Sequence, residues 1–394
     1  MSKSGFNGFA LPKRDSAGKG PSSIDIYSKT GAIYAEVVDF SFTQTYNVYA
    51  KPVTDGKYIY LIQISNATGS GSSYIYKYTL KGVYVSSCYL GGTFQTTTSQ
   101  NPASLTMCGN YIFVTSGTGN YYIVDKDAMT ATSPSISLTG SYIAGAPYYS
   151  MTYPWAYIFY INNILYIVGF STSSTNIYID RFSISSTGTL TSLGYLSVTL
   201  GTAYTYGYEV GVDYSSSLNS LCFFSMRETT KIYLLNLSSS ATSTITINSG
   251  SMPAAYTSGY YVNFYCCTSG NFIVSYVDSS LYNRIYYVKG SDGSILCSDV
   301  SSSTITASNA SYNKILVTKA GFYYSLYASP TKVGFVLNGD TTISTINTIL
   351  NIQWVMTSYG GIWNYPPYVM SNNNIQCYRV NNYIMAHTDT ILLT

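Results

Sequence analysis

The sequence is poor in charge, in histidine and in helical pattern. Only 9% of its 394 residues are charged, whereas an average soluble domain has roughly 25%. A single histidine, His387, excludes multi-histidine zinc sites and leaves one candidate base for a Ser-His-Asp or Cys-His site. No stretch of about 10–15 residues has a convincing helical period, which argues against helical solenoids and βαβ units.

Disulfide frameworks and membrane spans are also poorly supported. The seven cysteines are odd in number and widely spaced, so we expect small apolar core residues, with one or two bridges left open. The most apolar run, 155–170, is divided by Asn162 and Asn163 and is too short for the roughly 20-residue span of a membrane helix. It predicts two strands joined by an Asn-Asn turn. The N-terminal segment lacks the apolar core of a signal peptide.

The net charge of +3 comes from one short segment. Residues 1–22 carry Lys3, Lys13, Arg14 and Lys19 against Asp15, so residues 23–394 are formally neutral. A neutral body has no broad basic field for a nucleic acid, and we expect no nucleic-acid partner. We interpret residues 1–22 as a polar basic arm that docks to neighbouring subunits through these four cations; a simple solvated tail is the alternative.

What the sequence has in abundance is tyrosine, with 45 residues, together with Ser, Thr, Asn and Gly. Tyr, Thr, Val and Ile favour strands, and Gly, Asn and Ser favour turns, so the composition predicts an all-β protein. The 16 carboxylates are few, and acid unfolding mostly reflects protonation of paired carboxylates. The composition therefore predicts an acid-stable protein.

A turn followed by an aromatic-aliphatic run recurs seven times. The second turn residue falls at spacings of 50–57 residues, at Lys57, Asn110, Asn163, Ser220, Asn271, Gly321 and Asn373. Each repeat has room for four short strands separated by Gly, Ser, Asn and Asp turns, as in a propeller blade.

The repeats predict a seven-bladed β-propeller of about four antiparallel strands per blade, spanning residues 23–394 as a single domain. Residues 23–40 read as one or two outer strands that complete the last blade, so both termini close the ring. The repeated Gly-His and Trp-Asp pairs of WD40 arrays and the kelch signature are absent from the sequence. A pair of β-sandwich domains is the alternative fold.

The sequence offers few candidate catalytic residues and few candidate metal ligands. Asp125 and Asp127 form a carboxylate pair, but their segment leads into a turn, where Asp usually caps backbone N–H groups. The GSDGS segment at 290–294 reads as a hairpin turn without the other acidic ligands of a calcium loop. We therefore expect a non-enzymatic protein without cofactor or metal.

Binding is better supplied than catalysis. Tyrosine and tryptophan combine an apolar ring with a polar tip, which suits protein and sugar contacts. The least strand-like segments of the repeats are aromatic, and exposed loops commonly carry recognition. The candidate ligand-binding residues are Trp155, Trp354, Tyr359, Trp363 and Tyr365. Rings that fill the junction between two blades are the alternative.

Segments such as SNATGSGSSYIYKYTL and YTSGYYVNFYCCTSGNF are rich in Tyr, Ser, Thr and Asn and poor in charge. In this composition the chain resembles surface proteins of thermoacidophilic archaea and structural proteins of their viruses. That resemblance implies a structural or attachment protein of a virion or cell surface. Its partners would be other virion or surface-layer proteins and a host glycan or envelope protein. An extracellular carbohydrate-binding protein and a propeller-type hydrolase or lyase are the alternatives.

Overall fold

The structure is a computed structural model. It describes residues 24–28, 31–41, 53–64, 73–79, 83–91, 103–116, 121–140, 157–171, 173–248, 252–256, 262–301, 303–304, 314–318, 321–326, 332–337, 341–342, 344–345, 368–369, 375–380 and 383–393. The regular structure of these residues is β-strand apart from one 3-10 turn at Gly207–Glu209. The all-β prediction is confirmed.

The strands are short, as the dense turn residues predict. In chain order they are β1 (Ile24–Ser28), β2 (Gly31–Ser41), β3 (Val53–Thr54), β4 (Tyr58–Ile64), β5 (Ser73–Thr79), β6 (Tyr84–Tyr89), β7 (Ala103–Cys108), β8 (Tyr111–Ser116), β9 (Tyr121–Asp125), β10 (Thr130–Thr132), β11 (Ile158–Ile161), β12 (Ile164–Gly169), β13 (Ser174–Ile184), β14 (Leu190–Tyr204), β15 (Val210–Ser215), β16 (Ser220–Ser225), β17 (Glu228–Asn236), β18 (Thr242–Thr246), β19 (Asn263–Cys266), β20 (Phe272–Val277), β21 (Asn283–Val288), β22 (Ile295–Val300), β23 (Lys314–Thr318), β24 (Gly321–Leu326), β25 (Lys332–Leu337), β26 (Ser344–Thr345), β27 (Tyr368–Val369), β28 (Ile375–Val380) and β29 (Tyr383–Leu393).

Six sheets share one plan, in which four consecutive strands pair antiparallel. We number them sheet I (β3–β6), II (β7–β10), III (β11–β14), IV (β15–β18), V (β19–β22) and VI (β23–β26). Sheet VII combines the two ends of the described chain in the order β1-β2-β29-β28-β27. Four-strand repeats of this kind are the unit of propeller folds.

Six of the predicted turn markers lie within one residue of the start of the second strand of sheets I–VI, and the seventh, Asn373, is two residues before β28 of sheet VII. At the turn between β11 and β12 both Asn162 (φ 50°) and Asn163 (φ 64°) adopt the left-handed region. A two-residue turn with two positive φ angles matches the twist of a hairpin, and Asn tolerates that region. The Asn-Asn turn prediction is confirmed.

Hydrophobic cores lie between successive sheets. Ile62 of sheet I packs with Val114 of sheet II, and Phe113, on the opposite face of β8, packs with Leu165 of sheet III. Further cores join sheets III and IV, IV and V, and V and VI. The second strands β16 and β20 are buried at every position, because a strand in the middle of a sheet covered on both faces has no solvent side.

Polar contacts also cross from sheet to sheet. The Asp213 carboxylate of sheet IV accepts the backbone N–H of Cys266 in sheet V at 2.8 Å. The Tyr324 hydroxyl of sheet VI donates to Asp299 of sheet V at 2.6 Å, and the Tyr157 hydroxyl donates to the carbonyl of Val210 at 3.2 Å. Such bonds satisfy groups that the cores would otherwise leave buried without partners.

The two ends of the described chain meet in sheet VII. Strand β2 pairs with β29 from Gly31 opposite Leu393 to Ser41 opposite Tyr383, without a register shift. The single histidine, His387, lies in β29, where it is opposite Val37 on one side and Gln376 on the other. The expected pairing of an N-terminal strand with the last unit is therefore present.

Candidate interaction surface

The residues that the sequence singled out for binding lie outside the described part of the chain. This holds for the aromatic residues Trp155, Trp354, Tyr359, Trp363 and Tyr365 and for the arm cations Lys3, Lys13, Arg14 and Lys19. Their roles therefore stay predictions. A different aromatic surface lies among the described residues, on strands rather than loops.

Exposed large apolar side chains concentrate at one strand. Tyr84 and Tyr89 of β6 are each 54% exposed, and Val83 and Val85 beside them are exposed as well. A compact patch of this kind, unlike scattered single residues, is typical of an interaction site.

Tyr84 and Tyr89 belong to a cluster of five tyrosine rings, which we call the tyrosine surface: the half-buried Tyr74 and Tyr76 and the buried Tyr78 of β5, with the exposed Tyr84 and Tyr89 of β6. The ring centroids of Tyr74 and Tyr89 lie 5.3 Å apart, and those of Tyr78 and Tyr84 lie 6.0 Å apart in an edge-on arrangement. Tyr76 lies between the two pairs, 6.0 Å from Tyr74 and 6.2 Å from Tyr84. These centroid distances are typical of favourable aromatic pairs, so the rings stabilise one another's positions.

A bulge between β5 and β6 places both tyrosines of β6 on one face. Lys77 is opposite Ser86, but the next pair is Tyr78 with Tyr84, so Val85 is the extra residue. Successive residues of a strand alternate between faces, and one extra residue shifts that alternation. Tyr84 and Tyr89 are five positions apart, so without the bulge their side chains would point to opposite faces of the sheet.

The opposite face of β5 and β6 is anchored in the protein core. Ile75 and Cys88 pack into the core between sheets I and II. The buried Lys77 ammonium donates to the carbonyl of Lys126 at 2.7 Å and lies 4.4 Å from the ring centroid of Tyr58. The tyrosine surface therefore has a fixed base, which lowers the entropic cost of binding a partner.

Two phenols of the tyrosine surface, those of Tyr76 and Tyr78, are held in the neutral form by their surroundings. Burial and the neighbouring phenols raise the pKa of Tyr76, and the same causes raise the pKa of Tyr78 to about 12. The Tyr84 hydroxyl lies 3.1 Å from the Ser87 hydroxyl, on the same face. The surface thus offers aromatic rings and hydroxyl groups, which bind by stacking and neutral hydrogen bonds.

A second, smaller exposed aromatic site lies on the last strand of sheet III. Tyr195 is 53% exposed, Leu193 is also exposed, and the Tyr195 ring meets Tyr178 edge-on at 5.8 Å. Between the two exposed residues, Gly194 has a φ of +75°. This site has two rings, whereas the tyrosine surface has five.

Three acidic groups of the described residues make contacts within the fold. Glu209 is fully buried and accepts two hydrogen bonds from the Arg227 guanidinium, at 2.6 and 2.9 Å. Asp278, also buried, pairs with Arg284. As predicted, the Asp125 carboxylate caps its turn by accepting two backbone N–H bonds at 2.8 Å. Within the described ranges no cluster of three or more His, Cys, Asp or Glu residues could hold a metal ion.

Five cysteines of the described part of the chain, Cys88, Cys108, Cys222, Cys266 and Cys267, form no disulfide. Cys88, Cys108, Cys222 and Cys267 are buried, as expected for small core residues, and Cys266 and Cys297 are half-buried. Burial raises the pKa of Cys108 to about 12. Cys377 lies in β28.

The chain was compared with known proteins at three levels. No family model matches it, and no curated protein matches its sequence. Solved structures do match. The Mitotic Checkpoint Complex crystal structure aligns with a TM-score of 0.52 at 11% identity, covering 90% of this chain and 93% of the other. The RRP9 WD40 repeats align with a TM-score of 0.53 at 8% identity, covering 93% and 100%. YCF48 bound to D1 peptide aligns with a TM-score of 0.51 at 10% identity, covering 90% and 95%.

These likenesses, at such low identity, show the fold alone, and that fold is a β-propeller. The chain has it without the repeated Gly-His and Trp-Asp pairs of WD40 sequences. No helix among the described residues has the length and apolar character needed to cross a membrane.

Proposed function

We propose that this chain is a non-enzymatic structural or attachment protein of a virion or cell-surface assembly. Its seven sheets act as the blades of one ring, which the pairing of β2 with β29 closes. The ring is a rigid, uncharged frame that presents aromatic surfaces to protein partners. Residues 1–22 dock it to neighbouring subunits, and the aromatic segments around Trp155, Trp354 and Trp363 meet host glycans or envelope protein.

The observation that carries this proposal is the tyrosine surface. Its five rings lie together on one face, two of them are more than half exposed, and the opposite face is packed into the core. Aromatic rings that are already ordered before binding are typical of protein interfaces. Two of the structural neighbours, the Mitotic Checkpoint Complex and YCF48 bound to D1 peptide, are bound to other proteins or peptides, which is consistent with protein partners here.

The test is incorporation into the native assembly. Affinity-tagged full-length chain, a variant lacking residues 1–22 and the double variant Tyr84→Lys/Tyr89→Lys would be expressed in the source cells. Intact particles or cell envelopes would then be isolated and assayed for the tag. We expect both variants to incorporate several-fold less than the full-length chain while keeping its circular dichroism and urea midpoint. Incorporation at the full-length level by both variants would refute the assembly role.

A glycan array tests the attachment part separately. Binding of a glycan by the full-length chain and its loss in Trp363→Ala support the attachment role of the aromatic segments. An array without hits would restrict the proposal to protein partners.

A further inference from the structure

Among the described residues, no strand pairs with the outer edge of β6. It is the last strand of sheet I in the described part of the chain, and its six residues, YVSSCY, carry no charge. Sheet edges offer backbone N–H and C=O groups to other strands, and proteins usually guard them with charges, bulges, short length or a cover. The bulge at Val85 disturbs only the start of β6, and residues 86–89 pair with β5 in regular register.

Four other last strands are very short or carry such protection. Strand β10 has three residues and β26 has two. Strand β22 includes Asp299, and β14 has two register shifts against β13 and a glycine, Gly194, at positive φ. Strand β18 is also uncharged and pairs with β17 without a register shift, but it presents no exposed large apolar side chain. Strand β6 differs from β18 because β6 and the adjoining Val83 carry four of the six exposed large apolar side chains of the described residues.

We propose that β6 pairs antiparallel with β6 of a second copy of this chain, about a two-fold axis at Ser87. This inference rests on the proposed assembly role and names the partner of the tyrosine surface. A second copy suits the edge because neither strand has a charge, so the pairing brings no like charges together and desolvates none. Two-fold pairing also uses the same patch on both copies, as most homodimers do.

The register follows from which face each residue occupies. Ser87 is opposite Tyr76 and so belongs to the tyrosine face, whereas Ser86 and Cys88 belong to the inner face. Cross-strand neighbours must share a face. With Ser87 opposite Ser87 of the other copy, Ser86 meets Cys88, and Tyr89 meets the bulge that holds Tyr84. The two tyrosine surfaces then join into one across the dimer axis.

A single strand pair buries less area than a permanent interface, so we expect weak, concentration-dependent dimers that avidity reinforces in an assembly. Sedimentation equilibrium of the full-length chain would measure the dimer dissociation constant. Tyr89→Lys places two cations at the strand pair and should weaken the dimer by about tenfold or more. Tyr195→Lys is the matched control, since Tyr195 is 53% exposed and lies on the last strand of another sheet; it should dimerise like the unmodified chain.

A second measurement locates the axis. Opposite residues of an antiparallel pair have Cβ atoms about 4.5–5.5 Å apart, so Ser87→Cys should give a disulfide-linked dimer under mild oxidation, and Ser197→Cys, exposed on β14, should give none. A chain that stays monomeric at every concentration, or a dimer that Tyr89→Lys leaves intact, overturns the inference. A monomeric chain whose Tyr84→Lys/Tyr89→Lys variant still fails to incorporate would refute the second copy as partner and leave the assembly role standing.

Discussion

Alkali, rather than acid, should unfold this protein. Burial raises the pKa of Tyr157, Tyr265, Tyr276 and Tyr324 well above the ordinary value for tyrosine. The unfolded chain loses these protons near pH 10 and the folded chain keeps them, so the contribution of each tyrosine is fully present below pH 10 and falls as the pH rises towards the folded pKa.

The size of the effect follows from proton counting. For each proton that only the folded state holds, the free energy of unfolding falls by about 1.4 kcal/mol per unit rise in pH. Four such protons give a slope of about 5 kcal/mol per pH unit, and a typical domain has only about 5–15 kcal/mol to lose. The fold should therefore fail within about one to three pH units above pH 10.

The assay is urea unfolding from neutral pH into alkali, followed by circular dichroism, with tyrosinate absorbance recorded in parallel. Tyr265→Phe removes one of the four protons and should lower the slope by about 1.4 kcal/mol per pH unit. Leu193→Ala, at an exposed site, removes no titratable group and should leave the slope unchanged. If all phenols titrate smoothly while the strand signal persists, burial does not hold them neutral and the reasoning fails.

Three further predictions concern acid, an ion pair and a turn. For Asp55 and Glu228, burial raises the pKa but hydrogen bonds from neighbours outweigh it and lower the pKa, so their contribution is lost only as the pH falls below about 4; urea midpoints that drop between pH 7 and pH 5 would contradict this. Arg227→Met leaves the buried Glu209 carboxylate without its ion-pair partner and should lower the free energy of unfolding by about 3–5 kcal/mol, measured by urea unfolding. Lys289→Met removes one partner of an exposed pair with Asp292 and should leave the urea midpoint unchanged. Equal effects would show that burial is not the deciding factor. Gly293→Ala brings a Cβ into collision with the Thr246 carbonyl oxygen and should destabilise more than Gly194→Ala, at a position with a similar φ and open space around it; equal losses of unfolding free energy would mean that backbone strain alone acts.

The repeat and the strand order were predictable because turn chemistry is local. Asn163 and five counterparts mark the second strands of sheets I–VI. In five of these repeats the residue before the marker, Gly56, Gly109, Asn162, Asn219 or Gly270, has a positive φ, which Gly and Asn tolerate at tight turns. The turn role of Asp125 followed from the same local chemistry.

Burial and the candidate surface were harder to predict because they depend on neighbours distant in sequence. Alternation along residues 58–65 predicts Ile59, Leu61 and Ile64 between the blades or near them. Ile59 and Leu61 are buried, yet Tyr60 and Ile62 are buried as well, since sheets cover both faces. The Tyr74–Tyr78 alternation was visible in the sequence. Its partner strand was not, because the bulge at Val85 that turns Tyr84 onto the same face is set by pairing.

The pairing of β2 with β29 has a consequence for biosynthesis. Residues 383–393 are translated long after residues 31–41, with which they pair. Strand β2 can form a hairpin with β1 as soon as both are made, but its other edge stays open until β29 has been translated. Contacts between residues so distant in sequence form slowly. Sheet VII is therefore the one sheet of the described residues that cannot be completed during translation of its own neighbouring segment.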